Sequence, residues 1–230
     1  LDQKDEFVVK NLDEMKLTFG DVLGERLFLL EPTIIRLQHG WQVYRSLFGA
    51  NEQRWDFLHK AGGSAMVSIE SALWDKILLS LCRLTDLDSS RGSKRVTLHQ
   101  LSPKDCSYKD PECGRAIKKA VKEAVNAIKP IRKIRDQRIA HLNLDVALGE
   151  TFIDKVTRAQ IEAAVLAIAK PIKLIYAIER DTEILDRPPI GSSDSAVTLL
   201  NSPYLGDTID RKTIERSTYP EWLMFGEWDR

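Results

Sequence analysis

From Glu112 onward the apolar residues fall at Ile117, Val121, Ala124, Ile128 and Ile131, in steps of three and four. Only a helix turns that spacing to one side. The same period recurs in Ile34, Leu37, Trp41, Tyr44 and Phe48, and again in Met66, Ile69, Leu73, Ile77, Leu81 and Leu84. Strand patterning is scarce, and neither Asn-Gly nor Asp-Gly occurs to turn a hairpin. The pattern predicts an all-α fold, an up-and-down helical bundle. A chain of 230 residues can bury enough surface to hold such a bundle without disulfides.

Breakers and caps divide the chain. A first helix is predicted over residues 3–30, loosened at Gly20 and Gly24, with Pro32 in the first turn of a second helix. Gly49 stops that helix, and Asn51 caps a short one that ends near Lys60. After a break at Gly62-Gly63, Ser64 caps a central helix over 65–85, whose few charges predict that it is largely enclosed. Residues 86–96 read as a surface loop, and Thr97 caps a single turn through Leu101. Pro130 and Pro171 predict kinks in the helix that starts near Glu112 and in the last one, which Thr157 caps and which runs to about Asp181. Residues 1–181 are thus expected to form the bundle. Residues 182–230, with four prolines and an aromatic end from Tyr219 to Trp228, are expected to be an irregular extension docked on the bundle or on a partner chain.

Several function classes lack their residues. The cysteines Cys82, Cys106 and Cys113 are odd in number and form no CxxC pair, which fits a reducing compartment and a cytoplasmic location. The charged opening, with Asp2, Lys4, Asp5 and Glu6, is unlike a secretory signal, and no apolar run reaches membrane-spanning length. No glycine-rich phosphate loop or nucleophile elbow occurs. His99, Cys106 and Cys113 do not have zinc spacing, so neither a metal nor a cofactor is expected. His39 and His59, near Trp41 and Trp55, read as packing residues.

Charge is uneven along a chain whose formal net charge is +0. Between Arg115 and Arg138, nine basic residues face two acids, a surplus of +7. Arg115, Lys119, Lys122, Lys129 and Lys133 share a face opposite the apolar stripe, where they would attract a polyanion such as RNA. Arg135 stands apart from them. The stripe 117, 121, 124, 128, 131 steps next onto this arginine, where an aliphatic residue is due. A cation there needs a partner, which Asp136, Asp86 or another chain could supply. Arg83 and Asp86 are also spaced to pair on one helix, and the alternative role for Asp86 is to orient Arg135. His141 follows Arg135 with five residues between them; on an ideal helix the two lie about 120° and roughly 9 Å apart. Arg138, three before the histidine, lies nearer its face.

The phrase Arg135-Asp136-Gln137-Arg138-Ile139-Ala140-His141 resembles the signature of the HEPN superfamily: arginine, four to six residues, then histidine. Leu79-Ser80-Leu81-Cys82-Arg83-Leu84-Thr85-Asp86, followed by a serine-rich loop, is similar to the central helix of its AbiU-like abortive-infection branch. The resemblance implies a helical bundle that pairs as a homodimer through its motif helices. It also implies metal-independent ribonuclease chemistry in phage defence or a toxin–antitoxin pair, with an antitoxin protein as a possible partner. Arg135 would then contact the scissile phosphate, His141 would transfer the proton and Asp136 would organise the site. Arg138, Arg132, Lys133, Lys129 and Asn143 are the expected substrate-binding residues. In one HEPN group the position of Asn143 holds a tyrosine that a partner nucleotidyltransferase modifies, so that control is not implied here. The alternative is a non-catalytic HEPN module that binds RNA, nucleotide or a protein partner.

Overall fold

The computed structural model describes residues 11–49, 51–87, 89–90, 93–108, 110–139, 144–148 and 155–180. Among these the fold is all-α. Helices α1 (Leu12–Phe19), α2 (Asp21–Tyr44), α3 (Glu52–Thr85), α4 (Pro111–Ile134), α5 (Leu144–Ala147) and α6 (Arg158–Arg180) follow in order. Two residue pairs, Ser89–Ser90 and Ser93–Lys94, form a short antiparallel ladder inside the predicted loop. The predicted helical start at residues 3–10 and the extension 182–230 lie outside the described residues.

Among the described residues, those up to Ile35 and from Leu79 onward make one compact unit, and Arg36–Leu78 make another. The core of the first unit is α4 against α6. Ile117, Val121, Ala124, Ile128 and Ile131 are all buried on α4, as are Ile161, Ala164, Val165, Ile168, Ile172 and Ile175 on α6. Burying each valine or isoleucine of this seam is worth roughly 1.5–3 kcal/mol. Lys170 Nζ of α6 donates to Glu123 Oε2 of α4 at 2.7 Å. Phe19 meets Tyr176 edge-on, with ring centroids 5.0 Å apart, and Tyr176 brings its hydroxyl to the Met15 sulfur. The turn Leu98–Leu101 buries both of its leucines beside α4.

The second unit is built on aromatic rings. Tyr44 stacks on Trp41 at 5.7 Å and tilts against Trp74 at 5.2 Å. Glu70 accepts from the Tyr44 hydroxyl and from Trp55 Nε1, and the His59 ring lies on Trp55 with centroids 3.8 Å apart. His59 therefore packs, as its sequence neighbourhood implies.

Several caps sit where the sequence puts them. Thr157 Oγ1 accepts from the Gln160 N–H at 3.2 Å, and Gln160 Oε1 accepts from the Thr157 N–H at 2.8 Å, a reciprocal box that starts α6. Asn51 Oδ1 accepts from the Arg54 N–H and starts α3. Gly63, at φ 51° and ψ −135°, makes the break expected between residues 60 and 65.

Other expectations are corrected. Gly20, at φ 84°, does more than loosen the first helix; it ends α1, and Gly24 lies within α2. Pro32 does not open a helix but lies inside α2. Its ring is on the exposed side, where water can satisfy the carbonyl that loses its donor. Pro130 is likewise exposed, and there α4 runs on through the proline to Ile134, as the sequence reading has it. The central helix is enclosed only toward its C-terminal end. Ile77, Leu78, Leu81, Cys82 and Leu84 are buried, whereas Val67 and Ile69 are 48% and 43% exposed.

Candidate functional site

The site begins where α4 loses its regular turn. Beyond Ile134 the chain widens into a π-helical turn, Arg135–Ile139, of the kind that re-aims side chains at functional positions. The Arg135 N–H still closes the last turn of α4, on the carbonyls of Arg132 and Ile131. Ile131 and Ile134 are buried just before the change, and the Arg135 side chain continues inward along that core-facing stripe. Only 17% of it is exposed.

A cation in that position is answered by Asp86, at the C-terminal end of α3 and 14% exposed. Arg135 Nη1 donates to Asp86 Oδ1 at 3.1 Å and to Oδ2 at 2.9 Å. The opposite edge of the guanidinium goes to Asp136: Nε and Nη2 both lie 2.7 Å from Asp136 Oδ1. Asp136 is 53% exposed, so one carboxylate of the bracket is inside and the other is wet. The partner for Arg135 thus comes from both acids that the sequence offers.

Arg132 enters the same cluster from one turn earlier. Its Nη1 donates to Asp86 Oδ1, and its Nη2 donates to the Thr85 carbonyl at 3.1 Å and to Thr85 Oγ1 at 3.0 Å. Thr85 Oγ1 in turn donates within its own helix, to the carbonyls of Leu81 and Cys82. A third guanidinium, Arg95, stands 3.9 Å from Asp86 Oδ2 and is 46% exposed. Asp86 therefore gathers cations from α4, the π turn and the segment after the short ladder. The pair expected between Arg83 and Asp86 is not what forms. Arg83 is exposed, and the carboxylate turns across the unit to Arg132 and Arg135, where its partners are held by packing.

The electrostatics follow from this crowding. Burial works against the charge on Arg135, but the hydrogen bond to Asp136 and the charge of Asp86 outweigh it, and the group is held above its ordinary range. Cys82 lies one turn before Asp86. Burial pushes its thiol up to about 11, against the pull of Arg135 and Arg132. It is a thiol at neutral pH and no nucleophile. Burial likewise pushes Cys106 up to about 11, and its Sγ donates to the Gln100 carbonyl.

The structure brings Arg132, Arg135 and Asp136 together. Lys129 and Lys133 are exposed on α4, as are Arg115, Lys118, Lys119 and Lys122. The basic face is therefore open to solvent along the helix that leads into the site. The Arg138 side chain, His141 and Asn143 lie outside the described residues. Thr85 and Arg95 are cluster members that the sequence reading does not single out. Thr85 adjoins Asp86 in the quoted helix phrase, whereas Arg95 follows a polar loop with no pattern to mark it.

The family model described as AbiU2, a HEPN family, matches residues 21–188, well over half of the chain. No curated protein and no solved structure matches it. The matched span contains α2, α3, α4 and α6, the Asp86–Arg135 cluster and the arginine–histidine phrase that ends in His141. The chain belongs to the AbiU2 family of HEPN proteins.

Proposed function

We propose that this HEPN protein is a metal-independent endoribonuclease acting as a homodimer in phage defence or in a toxin–antitoxin pair. The observation that carries the reading is Arg135. A largely buried guanidinium is held between one enclosed and one exposed carboxylate at the end of a helix whose open face is strongly basic. An exposed basic helix draws in the RNA backbone by releasing its counterions. A fixed guanidinium can then stabilise charge that develops on one phosphate.

The reaction needs a base and an acid. The ribose 2′-oxygen attacks phosphorus, and its proton passes to one imidazole. The bond to the 5′-oxygen breaks, and a second imidazolium gives that oxygen a proton. The products are a 2′,3′-cyclic phosphate and a 5′-hydroxyl. Each proton transfer contributes roughly 10²–10⁴ in rate. The motif has one histidine per chain, so His141 of two protomers across a two-fold axis would fill both roles. Arg135 would stabilise the phosphorane.

A second reading has support of its own. Arg135 donates to two carboxylates, which is also how a retired site that only binds would look. One assay separates the readings: labelled RNA incubated with the protein in excess chelator, beside His141→Ala. Cleavage by the wild type that the substitution abolishes supports the enzyme. Salt-sensitive binding without cleavage, equal in both proteins, supports the module.

A further inference from the structure

The two carboxylates that hold Arg135 differ in every respect that bears on exchange. Asp86 is 14% exposed and takes both oxygens to Arg135 Nη1, while Arg132 and Arg95 approach the same group. It is tied through Arg132 to Thr85 and so to the end of α3. Asp136 is 53% exposed, reaches Arg135 through a single oxygen and neighbours it in sequence. A solvated carboxylate held by one guanidinium exchanges at less cost than a desolvated one bound by several.

The edge that each carboxylate occupies matters as much. Asp136 covers Nε and Nη2, the pair of parallel donors that receives a phosphate in bidentate fashion. Asp86 takes Nη1, the remaining corner. We infer that Asp86 is the positioning residue of the site: it fixes the plane and direction of Arg135, so that the Nε/Nη2 edge passes from Asp136 to a phosphodiester without the arginine moving. The inference rests on the phosphodiester reading above and adds the residue that aims its arginine. It also makes Asp136 a displaceable occupant of the phosphate seat.

The two acids should therefore respond oppositely to removal of charge. Asp86→Asn keeps the shape and one acceptor for Arg132 but frees Arg135 to turn. Misplacing a catalytic group by about 1 Å can cost on the order of 10²-fold. We expect kcat to fall by that order, while the KM for a short RNA holds or falls because a negative charge has gone. Asp136→Asn should lower KM several-fold. Asp86→Glu, which restores the charge, should recover part of the lost kcat. A merely structural Asp86 would instead lower the active fraction of both variants alike and leave KM and the kcat of folded protein unchanged. That result would overturn the inference.

A second measurement needs neither turnover nor a variant. In the 15N spectrum of the wild-type protein, a dinucleotide with a 2′-deoxy link should shift the Arg135 Nε–H resonance at saturation while Arg132 stays in place. An unmoved Arg135 resonance under saturating dinucleotide would sink the exchange even if the protein cleaves RNA. A shifted resonance in a protein that cuts nothing would keep the positioning role and remove only the ribonuclease reading.

Discussion

Asp86 sits at a helix end with two guanidinium groups on it and a third nearby. Removing one partner from such a cluster strands the others in a poorly solvated place. Asp86→Ala should therefore cost about 3 kcal/mol, toward the lower end for a partly buried network. Urea unfolding monitored by circular dichroism would show the loss, and a change within error would mean the cluster is solvated and weak. The oddness of Arg135 was readable in advance, because a charge interrupted an otherwise strict apolar stripe. Its partners were readable only as alternatives. Local spacing pointed Asp86 toward Arg83, since periodicity describes neighbours on one helix and is silent about which helix lies opposite. Thr85 and Arg95 gave no signal, as hydroxyls and loop arginines are common on any surface.

The α4–α6 seam is the best-defined element pairing, and its apolar period was the plainest signal in the sequence. Ile128 is fully buried within it, so Ile128→Ala should destabilise by about 2–5 kcal/mol, measured as a lowered urea midpoint at constant slope. The rim of the seam responds to pH. The hydrogen bond from Lys170 holds the Glu123 carboxyl below its ordinary range, against a smaller opposing effect of burial. A folded-state value below the unfolded one gives stabilisation that is present above the unfolded value and is lost as pH falls through the folded one. Both side chains are about half exposed, so the effect is small. Glu123→Gln should lower the melting temperature slightly at neutral pH and leave it unchanged at acid pH, which flattens the acid limb of the profile; a loss confined to acid pH would contradict the pairing. Prolines were the least legible elements. Pro32 read as a helix start, yet α2 runs through it on the solvent side, as α4 runs through Pro130. The helix α6 also runs through Pro171, which is buried, so a proline inside a helix reads as a boundary or not only once the packing around it is known.

At the scale of the molecule, a chain of zero net charge carries a local surplus of +7 between Arg115 and Arg138. RNA binding should therefore weaken steeply with salt, with log affinity falling linearly in log salt at about 0.7 per contacted phosphate. Replacing Lys119, Lys122 and Lys129 with alanine should reduce that slope by roughly two if they face the backbone. An unchanged slope would place the RNA elsewhere. The fold class and family were legible because both depend on pattern over long spans, in the helical period and in two phrases in fixed order. The proposed chemistry is readable in the sequence only as residue types, since side chains such as Arg135 and His141 would acquire roles from what they face.

The most direct measurement maps the cut in a short RNA under excess chelator and then replaces the ribose at that one nucleotide with 2′-deoxyribose. The account predicts a 2′,3′-cyclic phosphate on the all-ribose strand. It predicts that the substituted strand binds equally well and stays whole, because the attacking oxygen has been removed. Continued cutting of the substituted strand, or cutting that the chelator stops, would contradict it.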